Sequence, residues 1–208
     1  MRRKLELLVI HCTATPEGRE VTSAEIHQWH RGPRDILDAA GKPTGRVYFR
    51  GNTYPSRSTL PNEKIGGIDI SKLQGRGWRQ VGYSDIIHLD GMVENLVPYN
   101  NDQYVDPWEM TNGVASINAI ARHVVYAGGT EKHNLSKGKD TRTQEQRAAL
   151  SLYVIKTLQA HPSIYVAGHN QFDKKFCPSF NVPEWCRSIG VSERNIYTQW
   201  PHGEYKEV

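Results

Sequence analysis

KLELLVIHC, residues 4–12, is an apolar run interrupted by one glutamate and closed by a histidine and a cysteine. Alternation puts Leu5, Leu7, Val9 and His11 on one face and Glu6, Leu8, Ile10 and Cys12 on the other. Apolar residues on both faces predict a strand covered on both sides, the pattern of α/β sheets. A histidine at the C-terminal end of such a strand stands where the sheet opens into loops, the usual place for an α/β ligand site.

Working outward, SIYVAGH (163–169) predicts a second strand ending in a histidine, His169. NAIARHVVYAGG (118–129) predicts a strand over 120–126, stopped by Gly128 and Gly129. YSDIIHLDGMVENL (83–96) predicts a hairpin, because Asp90-Gly91 separates two alternating runs. Two helices carry capping boxes. Thr22 with Glu25 opens TSAEIHQWHR, and Thr143 with Gln146 opens the helix inside 140–161. In the second helix Ala148, Leu152, Ile155 and Leu158 are expected to form the buried stripe. VSERNIY (191–197) is expected to form a short helix. Strands alternating with helices, plus one hairpin, predict an α/β domain whose central mixed sheet is flanked by helices.

From about Gly32 to Gly77 the pattern dissolves into Gly, Pro, Arg and Ser, with one hairpin signal at GRVYFRGNTY (45–54). A stretch this long is rarely a bare loop, so residues 32–75 are expected to be an inserted flap or subdomain within a single domain spanning 1–208. Arg34, Arg46, Arg50 and Arg57, with Arg31 just before the stretch, occur together with Tyr48, Phe49 and Tyr54. Basic and aromatic residues together suit either a surface that holds anionic groups of a glycan or peptide, or a solvated cover.

Composition narrows the function classes. The 208 residues carry a net charge of +4 with the charges dispersed, unlike the basic stripe of a nucleic-acid binder. No apolar run approaches the roughly 18–20 residues of a membrane span. The basic start is followed only by LLVI, too short for a secretory core, so cytoplasmic synthesis without a signal peptide is expected. The three cysteines, Cys12, Cys177 and Cys186, form no even disulfide framework.

His11, His169 and Cys177 are of the residue types that bind zinc, where three protein ligands commonly leave the fourth position to water. Spacing alone leaves two readings open, a metal set or a loop histidine beside a buried thiol, since buried inert cysteine is common. Cysteine nucleophilic catalysis is a further alternative, weakened because Cys12 points to the opposite strand face from His11.

The strings VIHCTATPEG, RGWRQVGYSDIIHLDG, KDTRTQEQRAAL and VAGHNQFDKKFCPSF, in this order, resemble the type 2 N-acetylmuramoyl-L-alanine amidases, the family of phage amidase endolysins and peptidoglycan recognition proteins. The resemblance runs from about residue 5 to 185, with 32–75 outside the common core. It implies a zinc hydrolase cutting the amide between N-acetylmuramic acid and L-alanine, with peptidoglycan as partner and action in the periplasm or on the cell wall, as a monomer. It implies His11, His169 and Cys177 as zinc ligands and Tyr83 and Lys175 as catalytic residues. Lys175 would support charge on the carbonyl oxygen, and Tyr83 would orient water or relay a proton. Lys174 would be a spectator.

Three departures stand out. GYS replaces the family's frequent GYH, placing Ser84 there. GHNQ replaces GHRD, placing Asn170 and Gln171 beside the second ligand. PWEMTNGVASIN (107–118) lacks a histidine the family often carries. His88 and His123 are expected to be structural or surface residues. The alternative function is a non-catalytic peptidoglycan-binding module on the same fold; Cys177 argues against it, since loss of that ligand is the expected route to losing the metal.

Overall fold

The computed structural model describes residues 2–61, 67–201 and 203. Along the chain, β1 (Arg3–Lys4), β2 (Leu7–Cys12) and β3 (Thr15–Pro16) precede α1 (Ser23–Arg31). Strands β4 (Arg34–Leu37), β5 (Pro43–Phe49) and β6 (Asn52–Tyr54) follow. Next come β7 (Asp85–Ile87), β8 (Val93–Asn95), β9 (Tyr104–Val105), β10 (Ala121–Tyr126), β11 (Gly129–Glu131) and β12 (Asn134–Gly138). Helix α2 (Gln144–Ala160), β13 (Tyr165–Gly168) and α3 (Val182–Ser188) complete the chain. Among the described residues no helix is long and apolar enough to cross a membrane. The chain divides into two compact units, residues 1–21 with 83–208, and residues 22–82.

In the first unit a five-stranded sheet has the order β13-β2-β10-β7-β8. The first four strands run parallel and β8 is antiparallel to β7, which makes the sheet mixed. All six residues of β2 are buried, as its two-sided apolar pattern requires. Leu8, Ile10 and Cys12 share a core with Leu150 and Val154 of α2 and with Val182 and Cys186 of α3. Leu7 and Val9 pack on the other face with Val114, Ala121 and Ala167. Leu5 precedes the strand and joins the α2 side, so the predicted alternation starts only at Leu7.

The predicted hairpin is present, with Asp85–Ile87 facing Val93–Asn95 and Gly91 at φ 83 in the turn. The strand predicted over 120–126 begins one residue later, after a 3-10 turn at Asn118–Ile120.

Helix α2 starts on its capping box, but only part of the predicted stripe turns inward: Ile155 and Leu158 are partly buried against the core. Gln146, Leu150, Val154 and Thr157 face inward, whereas Ala148 is exposed and Leu152 is 54% exposed. Apolar residues occur all round this helix, so periodicity does not select a face. Gln146 does: its Nε2 donates to the carbonyls of Ile87 at 3.2 Å and Ala127 at 3.0 Å, at the ends of β7 and β10, the Ile87 carbonyl also accepting from the Ala127 N–H at 3.1 Å. The tail also differs from expectation. VSERNIY forms only a 3-10 turn at Glu193–Asn195. Helix α3, capped by the Asn181 side chain with Pro183 in its first turn, arises where no helix was predicted.

The second unit spans Thr22–Gly82, so it includes α1 as well as the predicted 32–75 excursion, of which residues 62–66 lie outside the described part. It holds a three-stranded sheet, β4-β5-β6, over its own cluster of Val47, Phe49 and Leu60. Phe49, expected on either a binding surface or a solvated cover, is fully buried there. The returning segment satisfies the carbonyls at the end of α1. The N–H groups of Arg76 and Trp78 donate to Trp29 and His30, at 2.9 Å each.

Candidate metal centre

The register of the sheet brings the two strand-end histidines together. Gly168 pairs with Ile10 in the parallel β13–β2 ladder, so the next residue of each strand is His169 and His11. Their rings meet edge to face, with centroids 4.7 Å apart. Cys177 returns to the same spot on a loop. The N–H of Asn170 donates to the Cys177 carbonyl at 2.7 Å, and the N–H of Cys12 donates to the Cys177 Sγ at 3.2 Å. One ligand atom from each of His11, His169 and Cys177 lies within 4.8 Å of the others, and all three residues are buried. Of the two readings that spacing left open, the geometry brings all three residues together.

The donor set fits a metal. Two ligand atoms of a tetrahedral zinc site, with bonds of about 2.0 and 2.3 Å, lie about 3.5 Å apart. The His11 Nδ1 and Cys177 Sγ are 3.7 Å apart. The other nitrogen of His11, Nε2, is 2.9 Å from the Nδ1 of His123 on β10. When that Nε2 carries the proton and donates to His123, the Nδ1 lone pair is left for a metal.

Electrostatics agree with neutral imidazoles. Burial and then the Lys175 charge pull His169 down to about 4. Burial and then His169 pull His123 down to about 3. Burial pushes the Cys177 thiol up. Metal binding must therefore displace a thiol proton from Cys177 but none from His169.

Tyr83 lies beside the centre, its ring 5.1 Å from that of His11. The next residue fixes it: the N–H of Ser84 donates to the His123 carbonyl at 2.8 Å. Ser84 itself is buried. Lys175 is on the ligand loop, its side chain 54% exposed and its Nζ 2.8 Å from Asp173. Asp173 also comes within 4.0 Å of the His169 Nε2. Lys174 is exposed and has no described contact with the three residues.

His123, expected to be structural, is the residue that sequence reading undervalued. It faces the same side of the sheet as His11 through the pairing of His123 with Val9 and Val125 with His11. Shared parity on adjacent parallel strands was the available signal. The ring packs directly on Gly113, where a Cβ would collide with it.

The GHNQ departure resolves in part. The Gln171 Oε1 accepts from the Gly168 N–H at 2.9 Å, and its Nε2 donates to the Tyr197 and Gln199 carbonyls at 2.8 and 3.3 Å. Gln171 thus straps the C-terminal segment to the ligand loop. Nothing in the structure explains the buried Asn170 carboxamide, which has no hydrogen-bond partner among the described residues.

No protein-family model matches the chain. The endolysin of Enterobacteria phage K11 is 23% identical over 189 residues, covering 90% of this chain and 89% of the endolysin. Among solved structures, the N-acetylmuramoyl-L-alanine amidase LysC from Clostridium intestinale is similar with a TM-score of 0.53 and 16% identity, covering 91% of this chain and 87% of that one. The ectodomain complex of peptidoglycan recognition proteins LCa and LCx, bound to tracheal cytotoxin, is similar with a TM-score of 0.50 and 13% identity, over 93% and 85% of the two chains. The chain thus shares its fold with N-acetylmuramoyl-L-alanine amidases and peptidoglycan recognition proteins.

Proposed function

We propose that this protein is a peptidoglycan hydrolase, and more finely a zinc-dependent N-acetylmuramoyl-L-alanine amidase of the phage or prophage endolysin type. The observation that carries the reading is the buried convergence of His11, His169 and Cys177 beyond the C-terminal ends of the parallel strands β2 and β13. Likeness to phage endolysins over nine-tenths of the chain supports the coarse reading, and likeness to amidase structures supports the finer one.

In this reading His11, His169 and Cys177 hold the ion. Zinc, when bound, supplies Lewis acidity toward water and toward a carbonyl oxygen. The chain's own groups do the rest. His123 holds the proton on the far nitrogen of His11 and so fixes its tautomer. Lys175 exchanges its contact with Asp173 for the lactyl-amide oxygen as negative charge develops there. The Tyr83 hydroxyl orients water on the substrate and passes a proton to the leaving L-alanine nitrogen. The protein would act on the wall after release from the cytoplasm.

The test is metal content together with product mass from purified sacculi. The reading requires one zinc per chain and free stem peptides with an N-terminal L-alanine, lost on chelation and regained with zinc. Hydrolysis that survives phenanthroline would exclude it. Wall binding without any cleavage would leave the non-catalytic binding module.

A further inference from the structure

His11 lies within β2 and His169 directly follows β13, whereas Cys177 lies on the loop that leads from β13 to α3. The sheet register alone therefore places the two imidazoles but not the sulfur. The bonds that hold the loop decide where the sulfur stands.

Two successive carbonyls of the loop are held by two different elements. The Cys177 carbonyl accepts from the Asn170 N–H at 2.7 Å, which ties it to the segment carrying His169. The next carbonyl, that of the buried Pro178, accepts from the Tyr126 hydroxyl at 2.7 Å. Tyr126 ends β10 and pairs with Cys12 in the β10–β2 ladder. The Cys12 N–H donates to the Cys177 Sγ at 3.2 Å. Tyr126 thus grips the peptide that follows the candidate ligand, and its ladder partner grips the sulfur. One residue further, Ser179 stands at φ 70, a conformation that a serine keeps only where its surroundings impose it. Its hydroxyl donates to the Gly129 carbonyl at 2.6 Å.

The Tyr126 hydroxyl is not required for packing. The side chain is fully buried and its ring lies against that of Phe180, with centroids 6.3 Å apart, so a phenylalanine would fill the same space. A buried hydroxyl is costly unless it is bonded, and here its bond goes to the ligand loop. Burial, then the neighbouring Cys12, push the phenol well above its ordinary range, so it remains a donor at any working pH.

We propose that Tyr126 is a positioning residue of the candidate metal centre: through the Pro178 carbonyl, its hydroxyl sets the Cys177 sulfur opposite His11 and His169. The consequence for metal rests on the zinc reading above. Without the hydroxyl, the buried Pro178 carbonyl loses this donor and its peptide turns to find another. Cys177, one residue before it, moves with that turn.

The test compares Tyr126→Phe with the parent in the full chain, with Ile164→Ala as a control for plain loss of stability. Ile164 is buried in the same core and precedes β13, at the opposite end of that strand from His169. Thermal melts establish that all three proteins are folded. In metal-free protein, labelling by iodoacetamide is read at each cysteine from peptide masses. Tyr126→Phe should speed labelling of Cys177 relative to Cys186 about tenfold, the loss of roughly one hydrogen bond. Ile164→Ala should keep the parent's ratio. With Co(II) as the probe, Tyr126→Phe should bind about tenfold more weakly, the usual cost of loosening a ligand's support. Its sulfur-to-cobalt charge-transfer band should shift, while Ile164→Ala matches the parent in both. The parent's labelling ratio in Tyr126→Phe would overturn the proposal, and so would an unshifted band in the cobalt-loaded variant. An equal rise of the ratio in Ile164→Ala would overturn it too, since any loosening of the core would then suffice. A parent that takes up neither cobalt nor zinc would sink the metal reading, and the labelling ratio alone would still decide whether Tyr126 places Cys177.

Discussion

The Nε2 of His11 and the Nδ1 of His123 lie 2.9 Å apart, on neighbouring parallel strands and wholly inside the protein. This pair ties the candidate ligand at the end of the interior strand β2 to a buried residue of β10. His123→Asn should lower zinc affinity by about 10- to 100-fold, the usual cost of losing a ligand's hydrogen-bond partner. Competition with a chromogenic chelator measures it. Gly113→Ala should act in the same direction, because a Cβ there displaces the His123 ring. Unchanged affinity in both variants would show that His11 is oriented by other contacts.

Cys177→Ser and His169→Ala should each remove stoichiometric metal and abolish release of stem peptides, with the sheet intact by circular dichroism. Elemental analysis of the purified variants decides this.

Tyr83→Phe and Lys175→Gln should each reduce turnover by about a hundredfold or more while zinc content stays at one per chain. Lys174→Gln should leave both unchanged. Equal losses at 174 and 175 would mean that the loop needs positive charge in general and not a placed lysine.

His88 gives the pH prediction. Burial opposes its charge, but Glu20 and Glu94, each 3.0 Å from a ring nitrogen, outweigh burial and raise its pKa. A raised folded pKa stabilises fully below the unfolded value of about 6.5, and the contribution is lost as pH rises through the folded value. Both glutamates are more than a third exposed, so solvent screening limits the contribution to at most about 1 kcal/mol. Between about pH 6 and 8 the melting temperature of the parent should therefore fall more than that of His88→Gln. Parallel curves would remove this role.

The face of α2 is testable by two leucines. Leu150→Ala should cost about 2–5 kcal/mol by leaving a cavity, whereas Leu152→Ala should be within about 0.5 kcal/mol of the parent. Urea denaturation of both variants reads the difference.

The sheet, its two histidine-terminated strands and the hairpin were legible because their signals are local: alternation, an Asp-Gly turn, capping boxes. The proximity of His11, His169 and Cys177 was legible only through the order of four motifs, since no spacing rule links residue 11 to residues 169 and 177. The inward face of α2 was legible only in part: Ile155 and Leu158 pack inward as expected, but Ala148 and Leu152 do not, because Gln146 turns toward two carbonyls that belong to distant strands. Phe49 was misread for a similar reason: among arginines and tyrosines it looks like part of a surface, but it is the centre of a small core. His123 needed strand order as well as sequence, since its partner is more than a hundred residues away.

The pairing of β2 with both β10 and β13 also dictates when the centre can exist. Residues 7–12 must find residues 121–126 on one side and 165–168 on the other, and only then do His11, His169 and Cys177 face one another. Such long-range parallel pairing forms slowly, because the intervening chain must be ordered first. Local hairpins and helices can be complete while the triad is still scattered. Ion capture during refolding would then lag behind recovery of the helical signal, making the metal a clock for closure of the central sheet.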